Sequence, residues 1–436
     1  MAVRKGKYIT IGIGTSKNTD PYKAGNEAAE ESIKGFDKKQ NFSIVYTNPE
    51  YNQNEIAKGI NDALGKDWVG ASADKQFNSE FTYNKDTVVS VLSIKSDYMH
   101  FGVGVAKKYR SNPILSAKKA TEQAIRSIRS DKYLDSYIQF SRVKKQEYNK
   151  IVKTPPYFIL TYCSGTEFVK GKSVPGSEIE FLRGILEYLG PHIPVFGGSA
   201  SSDFETHLYK NIGSNYQFAN GEVLSNSGIV IFVICNLFFL NDVKHGYQTT
   251  DTFAAITNLD KTGYEILAIN GKEPISEYCK LVGVKKEVYL KDPFRYSLTN
   301  PFGMITLEGD TYIREALPNP DNKTFHSTYQ LKKNYVMNIL QYNKKSHFTT
   351  MLETLKGASK NKGEMALAMF CNCSTRRLLM KDAIKDIKKD LKQKFKTLPF
   401  FGFYSFGEFG STPTSSAQLH SETVTSLIIF DKLLVD

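Results

Sequence analysis

Three side chains in the last quarter of the chain have the chemistry of a binding site: the thiol of Cys373, the guanidinium of Arg376 and the carboxylate of Glu408. Cys373 and Arg376 follow an apolar run that begins at residue 366, and Glu408 lies in the glycine-punctuated loop 402–410. A guanidinium binds a carboxylate through two parallel hydrogen bonds and favours a neighbouring thiolate. With Glu408 as the partner of an ammonium group, these residues predict a site for a zwitterion.

The same residues also have a purely structural interpretation. Cys373 is then a small buried residue, and Arg376 forms an ion pair with Glu408 that ties the loop to the strand. Cys371 and Cys373 form a Cys-x-Cys pair, but the other three cysteines are isolated and no histidine lies nearby in the sequence, so we expect no metal. The binding and the structural interpretations both stay open on the sequence alone.

Histidines and serines elsewhere provide further candidates. His245 and His420 can act as ligand donors or acid–base groups, although a histidine at a strand end also serves as a hydrogen-bonded structural residue. Ser199 lies in GGSA, but the Gly-x-Ser-x-Gly pattern of serine hydrolases does not surround it, so we expect no serine catalysis. The stretches GIGTSK and GVGVAK lack the third glycine of the dinucleotide fingerprint, and we expect no cofactor.

The elements that must position these residues follow one plan three times: strand, helix, small-residue turn, strand. The three repeats cover residues 44–94, 158–234 and 367–430. Glycine, serine and alanine in the turns let another backbone or a ligand approach closely. In the second repeat Ser177 and Glu180 predict a capping box at the helix start. Because such units must share sheets, we expect an α+β fold of mixed sheets covered by helices, stacked as helix, sheet, sheet, helix.

Length and composition limit the class of protein. A chain of 436 residues is too long for one ordinary core, and we expect two domains, residues 1–240 and 241–436. A hydrophobic content of 41% with 12% aromatics is typical of a soluble globular protein. Five scattered cysteines, an odd number, indicate a reducing compartment, so we expect a cytoplasmic location.

Membrane and nucleic-acid functions are not expected. The most apolar segment, residues 228–240, falls short of the ~20 residues that a bilayer requires, and the apolar part of the N-terminus is too short for a signal peptide. The net charge is +12, but the lysines stand beside acids and no nucleic-acid-binding motif accompanies them. The charge therefore predicts a solvated surface.

Several stretches carry a family resemblance in a consistent order. They are VGASADKQF with Ser72, VFGGSASSDF with Gly198, Ser199 and Asp203, HGY with His245, FCNCSTRR with its Cys-x-x-Arg pattern, GFYSFGEFG, and LHSET with His420. Over nearly the whole chain, these stretches resemble the FIST family of sensor proteins, with its N- and C-terminal domains. The family's GGSA stretch usually continues with paired acids, and here Asp203 is the single acid, which weakens a charge-based role there.

The resemblance implies an intracellular, non-catalytic module that senses a small molecule, with amino acids as one candidate class, and acts on an unknown signalling protein. With no stretch left for an output domain, we expect a stand-alone module. The expected ligand-binding residues are Ser72, Gly198, Ser199, Asp203, His245, Cys373, Arg376, Glu408 and His420. Two alternatives stay open: an enzyme that uses Cys373 as its nucleophile, and a protein-interaction scaffold without a ligand.

Overall fold

The first repeat is a sheet with two helices on one face. In this computed structural model the described residues are 3–80, 88–128, 155–169, 172–174, 176–203, 213–306, 309–319, 321–361, 363–380, 384–412 and 415–435. The elements of the first repeat are β1 (Val3–Lys5), β2 (Thr10–Ser16), α1 (Pro21–Ile33), β3 (Phe42–Thr47), α2 (Gln53–Leu64), β4 (Trp68–Ser72), β5 (Gln76–Asn78) and β6 (Val89–Lys95). Both helices begin at side-chain caps, because Asp20 and Asn52 each accept a hydrogen bond from a backbone N–H of the first turn.

The second repeat contains the helix that later forms one wall of a cleft. Its elements are β7 (Met99–Lys107), α3 (Pro113–Ser127), β8 (Tyr157–Ser164), β9 (Glu167–Val169), β10 (Lys172–Val174), α4 (Glu178–Leu189), β11 (Val195–Ala200), β12 (Gln217–Ala219), β13 (Glu222–Leu224) and β14 (Ser227–Cys235). The capping box predicted from Ser177 and Glu180 is wrong, since the Ser177 side chain makes no capping bond. Its backbone, at φ −131° and ψ 44°, is not in the extended conformation usual for a cap. Its N–H instead donates to the Tyr109 hydroxyl at 3.2 Å.

The third repeat is interrupted by a separate antiparallel sheet. It begins with β15 (Leu237–Lys244). The inserted elements are β16 (Tyr247–Gln248), β17 (Phe253–Leu259), β18 (Glu265–Ile269), α5 (Pro274–Val282), α6 (Lys286–Tyr289), α7 (Pro293–Thr299), β19 (Phe302–Ile305), β20 (Thr311–Arg314), β21 (Ala316–Pro318), β22 (Phe325–Ser327), β23 (Tyr335–Ile339) and β24 (Gln341–Tyr342). The repeat then resumes with α8 (Lys344–Ala358), β25 (Met365–Cys373), α9 (Ser374–Met380), α10 (Ile384–Lys394), β26 (Phe400–Ser405), β27 (Glu408–Gly410), β28 (Gln418–His420) and β29 (Val424–Leu433).

All three repeats have the same strand order. The orders are β2-β6-β3-β4, β7-β14-β8-β11 and β15-β29-β25-β26. In each sheet the last two strands are parallel and the others antiparallel. The parallel pairs require a crossover, which α2, α4 and α10 provide. These sheets and helices confirm the predicted α+β fold.

Each of the three sheets gains a strand from another repeat. β12 of the second repeat pairs with β4, β27 of the third pairs with β11, and β5 of the first pairs with β26. The exchange is cyclic, so the strand ends of all three repeats meet around one central axis. The predicted domain boundary after residue 240 falls inside β15, and the division into two domains stays a prediction.

Side chains from all three sheets share one central core. The hydroxyls of Tyr46 and Tyr162 lie 2.9 Å apart, and both rings pack against Phe403 with centroid distances of 4.4 and 5.9 Å. These residues come from the first, second and third repeats respectively. Full burial of a side chain such as Phe403 contributes roughly 1.5–3 kcal/mol to the stability of the folded state. The helices pack on the opposite face of each sheet. Among the helices that the structure describes, none combines the length and apolar character needed to cross a bilayer.

The inserted sheet has the strand order β20-β19-β23-β17-β18-β22-β21. One of its faces is covered by α5, whose Tyr278 packs between Phe302 and Phe325 with centroid distances of 5.7 and 5.1 Å. The Tyr278 hydroxyl lies within hydrogen-bonding distance of two backbone carbonyl oxygens, either of which can accept its proton, so its burial leaves no unpaired polar atom. The insert thus has its own core, and it packs against Ile179 of α4 in the second repeat and against Leu419 of β28 in the third.

Candidate ligand-binding site

The end of β25 presents its side chains alternately to two compartments. Cys371 faces the central core, whereas Phe370 faces the helices of the third repeat. By the same alternation Asn372 lies on the helix side and Cys373 on the core side. Arg376 donates a hydrogen bond to Asn372. The two predicted residues Cys373 and Arg376 therefore lie on opposite sides of the sheet.

Arg376 is enclosed on the helix side of the sheet and is 1% exposed. Its Nε donates to Asn372 Oδ1 at 2.9 Å and its Nη2 donates to the backbone carbonyl of His347 at 3.0 Å. The buried Nη1 has no hydrogen-bond partner among the residues that the structure describes. Burial lowers the pKa of Arg376 to about 10, so the guanidinium keeps its charge at neutral pH. The predicted ion pair between Arg376 and Glu408 is not formed, because the two hydrogen bonds of Arg376 are made to Asn372 and His347.

Glu408 is fully buried on the core side and is held by hydroxyl groups. Ser405 Oγ donates to Glu408 Oε1 at 2.7 Å, while the N–H and hydroxyl of Thr423 donate to Oε2 at 3.3 and 3.0 Å. Burial raises the pKa of Glu408 to about 8, so its protonated form dominates at pH 7. It also raises the pKa of nearby Glu315 to about 7. Burial, followed by the nearby Glu408, raises the pKa of the Cys373 thiol well above its usual range.

His245 lies near Arg376 at the junction between β15 and the insert. Burial, together with the charge of Arg376, lowers the pKa of His245 to about 4 and that of His347 to about 2. The His347 ring contacts the rings of Tyr247 and Tyr342, at centroid distances of 4.4 and 4.5 Å. Both histidines are therefore neutral at pH 7, and Arg376 is the charged group of this cluster.

Ser72 and Asp203 lie elsewhere, around the central axis. Ser72 Oγ donates to the backbone carbonyl of Ser201 at 2.9 Å, which joins the first repeat to the second. Asp203 forms an ion pair of 3.3 Å with Lys75, in which the two side chains are 23% and 11% exposed. These contacts bring together the VGASADKQF and GGSASSD stretches.

Gly198 and Ser199 lie at the end of β11, behind helix α4. Ser199 is fully buried and its hydroxyl donates to Glu178 Oε1 at 3.1 Å. A Cβ added at Gly198 would lie 2.4 Å from Cys371 Sγ and 2.8 Å from the carbonyl oxygen of Gly407. Gly198 therefore allows the second and third sheets to approach each other, which is a packing role.

A cleft of about 570 Å³ opens between α4 and the inserted sheet. Its apolar lining includes Ile179, Leu182, Leu186, Met304, Leu331 and Leu419, and its polar lining includes Glu180, Arg183, Glu187, Tyr264, Arg314, Tyr329, Gln330, Tyr335 and Gln418. Glu187 is neutralised by Arg183 and Lys118, at 2.6 and 2.7 Å. Glu180 and Arg314 are the charged lining groups without an ion-pair partner in the described part of the chain.

Arg314 is held in place by neutral groups. Its guanidinium lies 4.5 Å from the ring centroid of Tyr329 and 5.5 Å from that of Tyr312, and it donates to Gln418 Oε1 at 3.3 Å and to a backbone carbonyl. Stacking on aromatic rings fixes the plane of a guanidinium while leaving other N–H groups for an anion. Arg314 thus presents a positive charge to an otherwise mainly apolar cleft.

The floor of the cleft is continuous with the predicted residues Glu408 and His420. The Tyr329 hydroxyl lies 3.0 Å from Ser421 Oγ, and burial, with a smaller contribution from Glu408, raises the pKa of Tyr329. The His420 ring packs edge-on against Tyr312, with a centroid distance of 5.3 Å. Burial and the charge of Arg314 lower the pKa of His420 to about 3, so this histidine is neutral.

The structure thus distributes the predicted residues over three places. Glu408, with Cys373 near it, and His420 lie behind the cleft, as do Gly198 and Ser199 behind α4. His245 and Arg376 form a separate buried cluster, and Ser72 and Asp203 lie at the axis. The sequence analysis predicted helix α4 but did not connect it with the site, and it missed Arg314, which lies in no recognisable motif. Within the described ranges, no three His, Cys, Asp or Glu side chains are grouped closely enough to hold a metal ion.

Comparisons with known proteins give one distant relative and weak structural similarities. The relative is an uncharacterised protein of Methanocaldococcus jannaschii, 24% identical over 236 residues, which is 51% of this chain and 43% of that protein. This chain therefore spans less than half of that relative's length. A cyanuric acid hydrolase from A. caulinodans (9% identity, 52% of this chain, 71% of that one) and PurLQS from Thermotoga maritima (10%, 98% and 73%) have TM-scores of 0.25 and 0.21. Similarities at this level support no statement on fold or function.

The family, in contrast, is defined by two adjoining matches. The FIST N domain matches residues 41–272, which run from just before β3 of the first repeat, through the second repeat and β15, to the turn after β18 of the insert. The FIST C domain matches residues 274–411, from α5 to β27. Domains of this family are generally taken to sense small ligands in signalling. The chain is a member of the FIST family, with an N-terminal and a C-terminal FIST domain.

Proposed function

We propose that this FIST protein is a small-ligand sensor whose ligand binds in the cleft between α4 and the inserted sheet. The observation that carries the proposal is a cleft of about 570 Å³ with apolar walls and an Arg314 guanidinium that has no carboxylate partner among the described residues. Small-molecule sites are typically concave, mainly apolar and equipped with a few convergent polar groups. This cleft has that composition.

The proposed ligand is an amino acid with an apolar side chain. Its carboxylate pairs with Arg314, for which the guanidinium retains free N–H groups. Its ammonium group lies towards Glu180, and its side chain contacts the leucines of α4 and the rings of Tyr264 and Tyr335. A zwitterion of this kind neutralises both unpaired charges of the cleft.

In this proposal the signal arises because the ligand contacts both walls of the cleft. One wall belongs to the second repeat and the other to the inserted sheet, so a ligand that contacts both favours one relative arrangement of these parts. A partner protein that recognises this arrangement receives the signal. The alternative enzyme is less well supported, because Cys373 is 4% exposed and its thiol pKa is raised, which disfavours the reactive thiolate.

Thermal-shift screening and calorimetry with the twenty amino acids test the proposal. We expect apolar amino acids to raise the melting temperature and Arg314→Met to abolish that shift while its circular dichroism stays native. Arg126→Met is the matched control, because Arg126 lies on α3 and is 78% exposed. A ligand-free scaffold shows no shift with any compound, and an unchanged shift in Arg314→Met would rule out this cleft.

A second comparison isolates the role of Glu180. If the ammonium group is recognised there, Glu180→Gln weakens the binding of the amino acid but not of its deaminated carboxylate. The removal of one charge-assisted hydrogen bond costs about 1.5–3 kcal/mol, or roughly 10- to 100-fold in affinity. Equal affinities of the wild type for the amino acid and the deaminated acid would contradict the zwitterion.

A further inference from the structure

The lysine-rich helix α10 places one of its side chains against an apolar void. The void lies where α10 packs on α8 and on the strands β5 and β26, and it has a volume of about 10 Å³. Lys388 lines it together with six apolar or aromatic side chains: Phe77, Met351, Ile387, Leu391, Phe400 and Tyr404. Lys388 is the one charged group among these described lining residues.

The amine of Lys388 is partly withdrawn from water. Within the part of the chain that the structure describes, it forms neither a hydrogen bond nor an ion pair, whereas Lys392, one turn later, lies 3.9 Å from Glu80. Burial, followed by the charge of Lys392, lowers the pKa of Lys388 to about 8, with a smaller contribution from Lys17 that Glu80 opposes. Because burial disfavours the charged form, the amine itself is enclosed and not only its methylene stem.

A lysine in these surroundings is a nucleophile near neutral pH. Apolar surroundings and a neighbouring cation are two ways in which proteins keep a lysine amine neutral. With a pKa of about 8, roughly a quarter of the Lys388 amines are neutral at pH 7.5, against about 0.1% for a lysine at the ordinary value of 10.5. Only the neutral amine has a lone pair with which to attack an electrophilic carbon.

The size and the charge of the surroundings select the electrophile. A void of about 10 Å³ has room for roughly one water-sized molecule, which excludes bulky aldehydes and acyl groups. Carbon dioxide is small, linear and uncharged, and its product with an amine, a carbamate, is an anion. The charges of Lys392 and Lys17 stabilise an anion at this position, whereas they add nothing to a neutral amide.

We propose that the amine of Lys388 binds carbon dioxide covalently as a carbamate. The nitrogen lone pair forms the new N–C bond, one C=O π bond of carbon dioxide opens to give the carboxylate, and one proton leaves the nitrogen for solvent. The step needs no oxidant or reductant and is reversible. It places an anion on helix α10 where the unmodified protein has an amine, and it does so independently of any ligand in the cleft.

Trapping of the carbamate tests the site. The protein is equilibrated with ¹³C-labelled bicarbonate at pH 7.5, the carbamate is alkylated to a stable ester with triethyloxonium, and mass spectrometry locates the adduct. We expect at least about tenfold more adduct on Lys388 than on Lys389, an exposed lysine of the same helix, and equal amounts on both in urea. Equal labelling of the two lysines in the folded protein would overturn the proposal.

Variants separate the nucleophile from the cations around it. Lys388→Arg keeps a positive charge without a nucleophilic amine and should lose the principal carbamate resonance in the ¹³C spectrum, whereas Lys389→Met should retain it. Lys392→Met should weaken this resonance severalfold, because it restores the protonated amine of Lys388 and removes a counter-charge of the carbamate. A resonance of full intensity in Lys388→Arg contradicts the assignment.

Discussion

Arg377 Nε lies 2.8 Å from Asp74 Oδ2, in an ion pair whose side chains are 7% and 0% exposed. Asp74 follows β4 of the first repeat and Arg377 belongs to α9 of the third, so the pair connects two repeats at the central axis. Lys75, the next residue, forms a more exposed pair with Asp203 of the second repeat. Asp74 and Lys75, which are adjacent in the first repeat, thus link it to the third and the second repeat respectively.

Asp74→Ala should strongly destabilise the fold, because it removes a carboxylate from a buried guanidinium. Breaking a buried ion pair by removing one partner costs about 3–5 kcal/mol. Urea unfolding measures the loss. The control is Asp67→Ala, whose pair with Lys39 is more than 60% exposed on both sides and should be worth at most about 1 kcal/mol. Similar losses in the two variants would show that the axis pair does not connect the repeats as inferred.

Gly198→Ala should also destabilise the protein, for a steric reason. The added Cβ would lie 2.4 Å from Cys371 Sγ, and relief requires the second and third sheets to separate. Overpacking of this kind costs typically about 1–3 kcal/mol in unfolding experiments. Gly357→Ala is the matched control, because Gly357 lies in α8 with no atom within 4 Å of the added Cβ. That helical substitution should stabilise by up to about 1 kcal/mol, and equal effects at the two positions would contradict the packing role.

The sequence predicted the repeated units well because each is built from local patterns. Apolar strands, capped helices and small-residue turns are recognisable within some 70 residues. The cyclic strand exchange was not predictable in this way. β5 has only three residues, Gln76–Asn78, and its partner β26 lies more than 300 residues away. A strand this short has no pattern of its own, and its place depends on tertiary packing.

The candidate site, like the fold, was predictable where it depends on the local sequence and not where it depends on contacts between distant parts of the chain. The alternation of side chains along β25 could have placed Cys373 and Asn372 on opposite faces of the sheet. It could not have placed Arg376, which lies in helix α9 and whose side is set by its hydrogen bond to Asn372. Arg314 was not recognisable, because its importance comes from the position of α4 opposite the inserted sheet. Sequence spacing does not report that position.

The five cysteines should react slowly with thiol reagents in the folded protein. All are buried, and burial raises the pKa of the Cys371 and Cys373 thiols well above the usual range. Since the thiolate is the reactive form, alkylation at pH 8 should be at least about 100-fold slower than in urea. Mass spectrometry identifies the site of any rapid reaction. Native modification of Cys373 at the rate of a free thiol, lost in Cys373→Ser, would instead favour the enzyme alternative.

Glu408 should make the fold less stable as the pH rises from 6.5 to 8. The folded state retains the Glu408 proton up to about pH 8, whereas a carboxyl in the unfolded chain releases it near its ordinary pKa of 4.5. In this window the folded state binds more protons, so the free energy of unfolding falls by up to about 1.4 kcal/mol per pH unit for one carboxyl. Glu315, with a pKa raised to about 7, adds to the fall at the lower end.

The choice of pH window separates this effect from that of the histidines. The pKa values of His420 and His245 are lowered to about 3 and about 4, so these residues destabilise the fold only as the pH falls below about 6.5. Urea unfolding at pH 6.5, 7.25 and 8 should therefore give a shallower slope for Glu408→Gln than for the wild type. Glu187→Gln should keep the wild-type slope, because ion pairs lower the pKa of Glu187 and it is ionised throughout this window. Parallel slopes for the wild type and Glu408→Gln would mean that Glu408 is already ionised in the folded protein.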